Sequence, residues 1–288
     1  MLKRLTWLFV IITGALAGYG LLMMDDSIDL LFPAPLPVMS ELPILEGIEL
    51  DDEPIEFKSC KLDTRYMLTP GSDWVFLICH DGRGTLNDYL PMLTTFRDLN
   101  LSALLFDYRQ NGMSSGSELK GEEFEKNLKE DIYFAFGRLL GRQWAPWKIV
   151  VYGMGLGATA AAEIAGDNEC AAFITEHAYP TASEVVSGRL QKFLMRDRFN
   201  LRKALVRVRC PLLFLTGDRH PWLDPQLAVS LISTPDDLHV VHIIPGADDR
   251  PMFRSKPEEW KEVLNAFMSR LPIRPERPKP LEEVQDDE

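Results

Sequence analysis

Short apolar runs alternate with longer segments of helical periodicity over most of the chain. The runs are four to six residues long, which suits strands that are buried on both faces of a parallel sheet. They lie at 74–79, 103–106, 149–152, 171–174, 212–215 and 240–244. Between and after them, residues 124–140, residues 159–164 and a last segment after Pro257 carry apolar residues at helical spacing. This pattern predicts an α/β fold with a doubly wound, mostly parallel sheet.

Two shorter segments ahead of this pattern alternate apolar and polar residues. They lie at 48–50 and 54–59, before the turn-forming residues Thr69, Pro70 and Gly71. Alternation with a period of two is typical of strands that have one buried face. We therefore expect an antiparallel strand pair at the N-terminal side of the parallel sheet.

The first residues are a different kind of segment. After Lys3 and Arg4, the span from Leu5 to Met24 carries no charge, and a helix of about twenty such residues can cross a bilayer. Basic residues before the span and acidic residues directly after it predict a cytoplasmic N-terminus and an exported domain. A cleaved signal peptide is the alternative, because small residues at 15–17 follow a short apolar stretch. Either interpretation places the domain on the non-cytoplasmic side, periplasmic or extracellular.

These features divide the chain into four parts. Residues 1–24 are the membrane anchor or signal peptide, 25–45 a proline-rich spacer, 46–271 a single α/β domain, and 272–288 a charged, proline-rich tail that we expect to be disordered. The net charge of the whole chain is −12. Because phosphate binding needs a basic face, we expect no nucleic-acid partner.

The four cysteines are scattered along the chain. Their spacing does not match the C-x-x-C pattern of a zinc or redox site. Cys170 and Cys210 each begin a predicted strand, so a disulfide between them is possible in an oxidising compartment. The set of His220, Asp248 and Asp249 offers too few ligands for a cation site. We therefore expect neither a metal nor a cofactor.

The segment KIVVYGMGLGA at 148–158 joins an apolar strand to an alanine-rich helix through a glycine turn. It resembles the strand–turn–helix elbow of the α/β-hydrolases, G-x-S-x-G, with Gly153 and Gly157 in the two glycine places. Four more segments resemble landmarks of that superfamily, in the same order. They are LICHDGRG at 77–84, FDYRQNGMSSG at 106–116, CPLLFLTG at 210–217 and IPGA at 244–247. The chain from about residue 45 to 270 is thus similar to α/β-hydrolases, most of all to small-cap members of the serine aminopeptidase and lysophospholipase type.

The resemblance implies a catalytic triad in which all three positions hold other residues. The place of the nucleophile is Gly155, that of the acid is His220 and that of the base is Asp249. The serine mechanism needs a hydroxyl, an imidazole that takes its proton and a carboxylate that orients the imidazole. Departure at all three positions predicts a non-catalytic pseudo-hydrolase.

The resemblance also places other residues around the former active site. The backbone N–H groups of Gly82 and Leu156 match the donors of the superfamily's oxyanion hole. Asp81 stands where the superfamily has a glycine, and with the aspartates of neighbouring loops it predicts an acidic pocket mouth. The residues expected at the pocket are His80, Asp81, Met154, Glu176 and His177.

Three hypotheses about function follow from these residues. In the first, the protein binds a small ligand or a protein partner at the cell envelope without catalysing a reaction. In the second, it hydrolyses esters or amides, with His220 oriented by Asp249 and activating a water in place of the serine. In the third, it is a structural envelope protein without a functional pocket. A hydrogen bond between His220 and Asp249 beside Gly155 would favour the second, and a pocket filled by Met154 or its neighbours would count against it.

Overall fold

A computed structural model describes residues 6–7, 9–16, 18–20, 45–117, 123–186, 188–221, 223–232 and 238–274. Within these ranges the strands are β1 (Ile55–Phe57), β2 (Cys60–Leu62), β3 (Thr64–Met67), β4 (Val75–Cys79), β5 (Ser102–Phe106), β6 (Ile149–Met154), β7 (Ala172–Glu176), β8 (Leu212–Gly217) and β9 (His239–Ile244). The helices are α1 (Leu86–Tyr89), α2 (Met92–Asp98), α3 (Phe124–Gly141), α4 (Gly157–Asp167), α5 (Arg189–Leu194), α6 (Leu201–Leu205), α7 (Pro225–Val229), α8 (Met252–Ser255) and α9 (Pro257–Met268). Short 3₁₀ turns lie at Pro146–Lys148 and Ala182–Glu184.

Seven strands form one sheet in the order β3-β5-β4-β6-β7-β8-β9. β3 is antiparallel to β5, and every other neighbouring pair is parallel. The six apolar runs of the sequence are the parallel strands β4 to β9, with ends that move by no more than two residues. The prediction of a doubly wound, mostly parallel sheet is confirmed.

The antiparallel pair is present, but one of its strands was predicted wrongly. β1 pairs with β2, with Ile55 opposite Leu62. Residues 48–50 are not in a strand, and Asp51 after them forms an isolated bridge with Tyr66. Ile48 and Leu50 instead pack partly buried against the core, which explains their alternation without strand pairing.

The core consists of two apolar layers, one on each face of the sheet. Successive residues of β4 divide between them: Val75 and Leu77 lie in one layer, and Phe76 and Ile78 in the other. This division follows from the alternation of side chains along a strand. Helices α3 and α4 contribute to the first layer, and α2 and α9 to the second.

The position of β4 determines where the loops meet. β5 and β6 flank it on opposite sides, so the chain runs from β4 to one side of the sheet and later returns to the other. In open parallel sheets, ligands bind outside the carboxyl ends of the strands at such a reversal. The loops after β4, β6, β7, β8 and β9 are therefore the region in which to look for a site.

The predicted membrane anchor lies partly outside the described residues. Residues 9–16 are helical and exposed. In the part of the chain that the structure describes, none of the helices combines the length and apolarity needed to cross a bilayer. The anchor between Leu5 and Met24 stays a prediction, and the spacer and tail fall almost wholly outside the described ranges.

Cys170 and Cys210 lie side by side at the start of β7 and β8. Both are buried, and the Cys170 thiol donates to Cys210 Sγ at 2.9 Å. The two strands are parallel neighbours, with Phe173 opposite Leu212. Both cysteines are free thiols in this structure, so the disulfide stays a prediction.

We predict that a disulfide oxidant such as oxidised glutathione joins Cys170 to Cys210, since thiols in contact need little movement to react. Two thiols lose their protons and two electrons, and the oxidant becomes two glutathione thiols. The cysteines are 40 positions apart, and closing a loop of that size stabilises a fold by about 4 kcal/mol. Oxidation should therefore raise the melting temperature of the parent and not that of Cys170→Ser.

Mass spectrometry after alkylation of the unfolded chain measures this bridge. Cys79 is the internal control, because it is fully buried in β4 and should be alkylated once the chain unfolds. Full alkylation of Cys170 and Cys210 after oxidation would contradict the prediction.

Candidate functional site

Loops that follow five of the parallel strands converge on one small pocket. Its cavity volume is about 20 Å³, enough for about one water molecule. The lining residues are Asp81, Arg83, Gly155, Leu156, His177, Tyr179, Val185, His220, Leu223 and Asp249. All three triad positions therefore lie around the same cavity.

The turn after β6 has the backbone geometry of an elbow. Gly155 has a φ of +50°, which residues with side chains adopt rarely. Its N–H donates to the backbone carbonyl of Glu176 at 2.8 Å. A Cβ at Gly157 would lie 2.4 Å from the His80 carbonyl oxygen, so α4 packs directly on the loop after β4. Backbone conformation and close packing explain the glycine pattern without any catalytic role.

The side chain of Asp81 lies where a nucleophile at position 155 would begin. A Cβ added to Gly155 would be 2.9 Å from the Asp81 Cβ, closer than two such atoms can approach. Asp81 is held there by Tyr89, whose hydroxyl donates to Oδ1, and by the Arg83 N–H, which donates to the same oxygen at 3.1 Å. The two departures from the hydrolase pattern, glycine at 155 and aspartate at 81, are thus sterically linked.

Arg83 connects two carboxylates across the pocket. Its Nη1 donates to Asp249 Oδ2 at 3.2 Å, and its Nε lies 3.9 Å from Asp81 Oδ2. His220 Nδ1 accepts the Leu223 N–H at 3.1 Å. Asp249 is therefore engaged by an arginine, and His220 Nδ1 by the backbone of its own loop.

The rings of His177 and His220 lie next to each other beside Gly155, with their planes tilted by 51°. Their ring centroids are 5.0 Å apart, and His177 Nε2 lies 3.3 Å from the Arg250 carbonyl oxygen. Burial, followed by the neighbouring His220, lowers the pKa of His177 to about 4. Burial also lowers the pKa of His220 to about 4, against the opposing effect of Asp249. Both rings are thus neutral at neutral pH.

Three residues that the sequence placed at the pocket lie beneath it. His80, Met154 and Glu176 are buried and are not among the lining residues. The His80 ring accepts the Gly82 N–H at Nδ1, at 3.1 Å, and its Nε2 is 3.3 Å from Asp107 Oδ1. The N–H of Gly82 thus donates within the protein, and its role as an oxyanion-hole donor stays a prediction. Leu156 does line the pocket, at the start of α4.

The Glu176 side chain, at the end of β7, is held in place by hydrogen bonds to two other elements. Its carboxylate accepts from the Tyr152 hydroxyl and from the Met252 N–H, the latter at 2.8 Å. Trp260 Nε1 donates to the same Tyr152 hydroxyl at 2.9 Å. Burial raises the pKa of Glu176 to about 7. These bonds tie the two central strands to α8 and α9 and thereby position the loop that carries Asp249.

A larger cleft adjoins the pocket, with a cavity volume of about 230 Å³. It contains as many arginines as aspartates, whereas the pocket itself has two aspartates and one arginine. Its lining residues are Asp81, Arg83, Gly84, Asp88, Tyr89, Asp249, Arg250, Pro251 and Arg254. Arg254 donates to the Asp88 carbonyl oxygen, and Arg250 Nη2 lies 2.9 Å from Asp248 Oδ2. The charges in the cleft are mixed and paired.

Sequence reasoning missed the roles of Arg83 and Tyr89. Arg83 sits at a variable place of the loop motif, and nothing in the sequence indicates that it reaches Asp249. Tyr89 lies on the buried face of α1, where an aromatic residue is ordinarily a packing residue. In the described ranges, no group of three His, Cys, Asp or Glu residues is arranged to hold a metal ion.

Sequence comparisons find distant relatives. No protein-family model matches the chain. It is 25% identical over 221 residues to protein bem46 of Schizosaccharomyces pombe, covering 70% of this chain and 72% of that protein. It is 25% identical over 260 residues to an uncharacterised protein of Mycobacterium tuberculosis, covering 85% of this chain and 89% of that protein.

Solved structures with the same architecture are hydrolases. An esterase from Pyrococcus furiosus aligns with a TM-score of 0.61 and 19% identity, covering 78% of this chain and 92% of the esterase. An α/β hydrolase from Vibrio vulnificus aligns with a TM-score of 0.67 and 14% identity, covering 85% of this chain and 93% of that one. The chain has the α/β-hydrolase fold, and the resemblance seen in the sequence is confirmed.

We predict that Gly155→Ser lowers the free energy of unfolding by about 1–3 kcal/mol, because the new Cβ overpacks against Asp81. In a double-mutant cycle, Asp81→Gly should remove part of this cost, since the contact exists only when both side chains are present. Chemical denaturation of the parent, both single variants and the double variant measures the coupling.

Gly137→Ser is the matched control for that cycle. Gly137 lies on the exposed face of α3, and a Cβ there meets no atom within 4 Å. The Gly137→Ser substitution should change the free energy of unfolding little and show no coupling to Asp81→Gly. Equal costs of Gly155→Ser with and without Asp81 would disprove the steric link.

We also predict that His177 makes the fold sensitive to acid. Its pKa is about 4 in the folded state against 6.5 unfolded, so in that window the unfolded chain binds more protons and stability falls as pH falls. On going from about pH 7 to about pH 5, the part of the loss that is due to His177 should be on the order of 2 kcal/mol. His177→Gln should reduce the total loss by about that amount and leave the part due to His220, whereas His239→Gln on β9 should leave the loss unchanged. Denaturation curves at the two pH values provide the measurement, and an unchanged loss in His177→Gln would contradict it.

Proposed function

We propose that this protein is a non-catalytic member of the α/β-hydrolase fold that binds a small ligand or a protein partner. The observation that carries the proposal is the contact between Asp81 and position 155. The place of the nucleophile holds no side chain, and the space beside it holds a carboxylate that is bonded to Tyr89 and Arg83. The protein's own side chains leave a cavity of only about 20 Å³ in the pocket.

The remaining polar groups of the pocket do not replace the missing chemistry. A general base works best when its pKa is near the working pH, whereas the pKa of His220 is lowered to about 4. Asp249 holds the place of the base, and its Oδ2 is occupied by Arg83. The pocket therefore lacks both a hydroxyl nucleophile and an imidazole tuned to accept a proton.

The cleft beside the pocket is the best location for a ligand. Its volume of about 230 Å³ is below the usual range for drug-sized ligands, which is about 300–1,000 Å³. Arginine and aspartate side chains face it together. These features favour a small polar molecule that carries both hydrogen-bond acceptors, for the arginines, and hydrogen-bond donors, for the aspartates. On the sequence evidence we place this binding site outside the cytoplasm, on a domain tied to the membrane by the N-terminal helix.

A second candidate is a hydrolase of esters or amides that uses a water molecule. It is favoured by one observation: Gly155, His220 and Asp249 line a cavity that can hold about one water. In this mechanism His220 would take a proton from the water, and Asp249 would have to leave Arg83 to orient the ring.

We predict that the full chain neither turns over p-nitrophenyl butyrate above the buffer rate nor reacts with a fluorophosphonate probe. The reason is that no serine stands at the elbow and that His220 is a weak base near neutral pH. Absorbance at the nitrophenolate band and mass spectrometry of labelled peptides measure the two outcomes.

His220→Ala and Ser114→Ala separate the ways in which this prediction can fail. Turnover that disappears in His220→Ala would establish the water-based hydrolase. Ser114 Oγ donates to the Asp107 carbonyl oxygen at 2.8 Å and is a structural residue. Probe labelling that is lost in Ser114→Ala would reveal a serine nucleophile outside the elbow, and either result would overturn the non-catalytic assignment.

A further inference from the structure

A strongly basic segment interrupts this acidic chain. Residues 189–209 contain eight of its 31 Lys and Arg residues and a single acidic residue, Asp197. The basic residues are Arg189, Lys192, Arg196, Arg198, Arg202, Lys203, Arg207 and Arg209. The concentration of positive charge marks the region of α5 and α6 as different from the rest of the surface, and a concentrated field of one sign attracts partners of the other sign.

Apolar side chains lie exposed among these charges. Phe193 is 71% exposed and Leu190 43% exposed, and both belong to α5. They are three positions apart, so they share one face of the helix. Val206, after α6, is 73% exposed. An exposed phenylalanine next to lysine and arginine is typical of segments that lie in the interface of a bilayer.

The cations of α5 are not neutralised by the protein. Among the described residues, Arg189, Lys192 and Arg196 form no ion pair. Farther along the segment the charges are paired, for example Lys203 with Asp197 at 3.1 Å. The free positive charge therefore concentrates on the helix that also exposes Phe193.

Gly20, in the N-terminal helical segment, lies beside the same helix. A Cβ added to Gly20 would lie 4.0 Å from Leu194 Cδ2. The residues before Gly20 are the uncharged, apolar ones of the predicted membrane anchor. The predicted membrane segment is thus next to the basic α5 at Gly20.

We propose that the α5 surface, defined as Arg189, Leu190, Lys192, Phe193 and Arg196, docks on anionic phospholipid headgroups. Lysine and arginine side chains contact the phosphates, and Phe193 inserts at the level of the headgroups. The complementary charge and the neighbouring N-terminal helix identify a bilayer as the partner. This docking does not depend on whether the pocket is catalytic.

The test uses the full chain in vesicles with an environment-sensitive fluorophore, nitrobenzoxadiazole, on a Phe193→Cys variant. The four native cysteines are buried, so the new thiol is the accessible one in the folded protein. A Tyr133→Cys variant is the matched control, because Tyr133 is an exposed aromatic residue on α3. In vesicles of phosphatidylcholine with phosphatidylglycerol, we expect a blue shift and quenching by lipid-borne quenchers at 193 and neither effect at 133.

Charge reversal tests the electrostatic part of the proposal. Arg189→Glu, Lys192→Glu and Arg196→Glu together should lower the lipid-quenched fraction at 193 by about tenfold or more. The same number of reversals at Lys61, Lys261 and Arg270 should leave it unchanged. Far-ultraviolet circular dichroism checks that both triple variants fold.

Two outcomes would overturn the proposal. Signals at 193 that match those at 133 would mean that the α5 surface does not touch the bilayer. A blue shift at 193 without quenching by the lipid-borne quenchers, equal in pure phosphatidylcholine and at high salt, would assign the surface to a protein contact instead of anionic headgroups.

Discussion

The central strands are buried on both faces, and this leaves the strand ends as the places where polar side chains can be accommodated. β4 and β6 are buried along their whole length. A polar group at their level must be hydrogen-bonded within the protein, as Glu176 is to Tyr152 and Met252. The remaining polar residues of the site, including Asp81, His220 and Asp249, therefore gather at the carboxyl end of the sheet.

At that end, space and charge together determine what the pocket can do. Asp81 fills the volume next to Gly155, and Arg83 joins Asp81 to Asp249. The glycine leaves room for the aspartate, and the arginine offsets part of the repulsion between the two carboxylates. The elbow keeps its geometry without a nucleophile because its stability comes from the packing of α4 on the loop after β4. The elbow of the α/β-hydrolase fold is thus formed here with a glycine at position 155.

The distribution of charge separates the pocket from the surface that we assign to the bilayer. Around the pocket and cleft, arginines and aspartates are paired with each other. On α5, positive side chains stand beside Phe193 without acidic partners among the described residues. Paired charges keep a cleft polar and nearly neutral, whereas unpaired charges of one sign act over several ångströms and favour an oppositely charged surface.

The amino-acid sequence by itself determined the six parallel strands, the helices at 124–140, at 159–164 and after Pro257, and the glycine elbow. These features depend on local periodicity and on backbone requirements that Gly153, Gly155 and Gly157 satisfy within a few residues. The tertiary structure alone decided that Asp81 occupies the space at position 155 and that Arg83 reaches Asp249, 166 positions away. It also decided that the Gly82 N–H donates a hydrogen bond to His80 Nδ1. Such contacts depend on distances between loops from different strands, and spacing along the chain does not encode those distances.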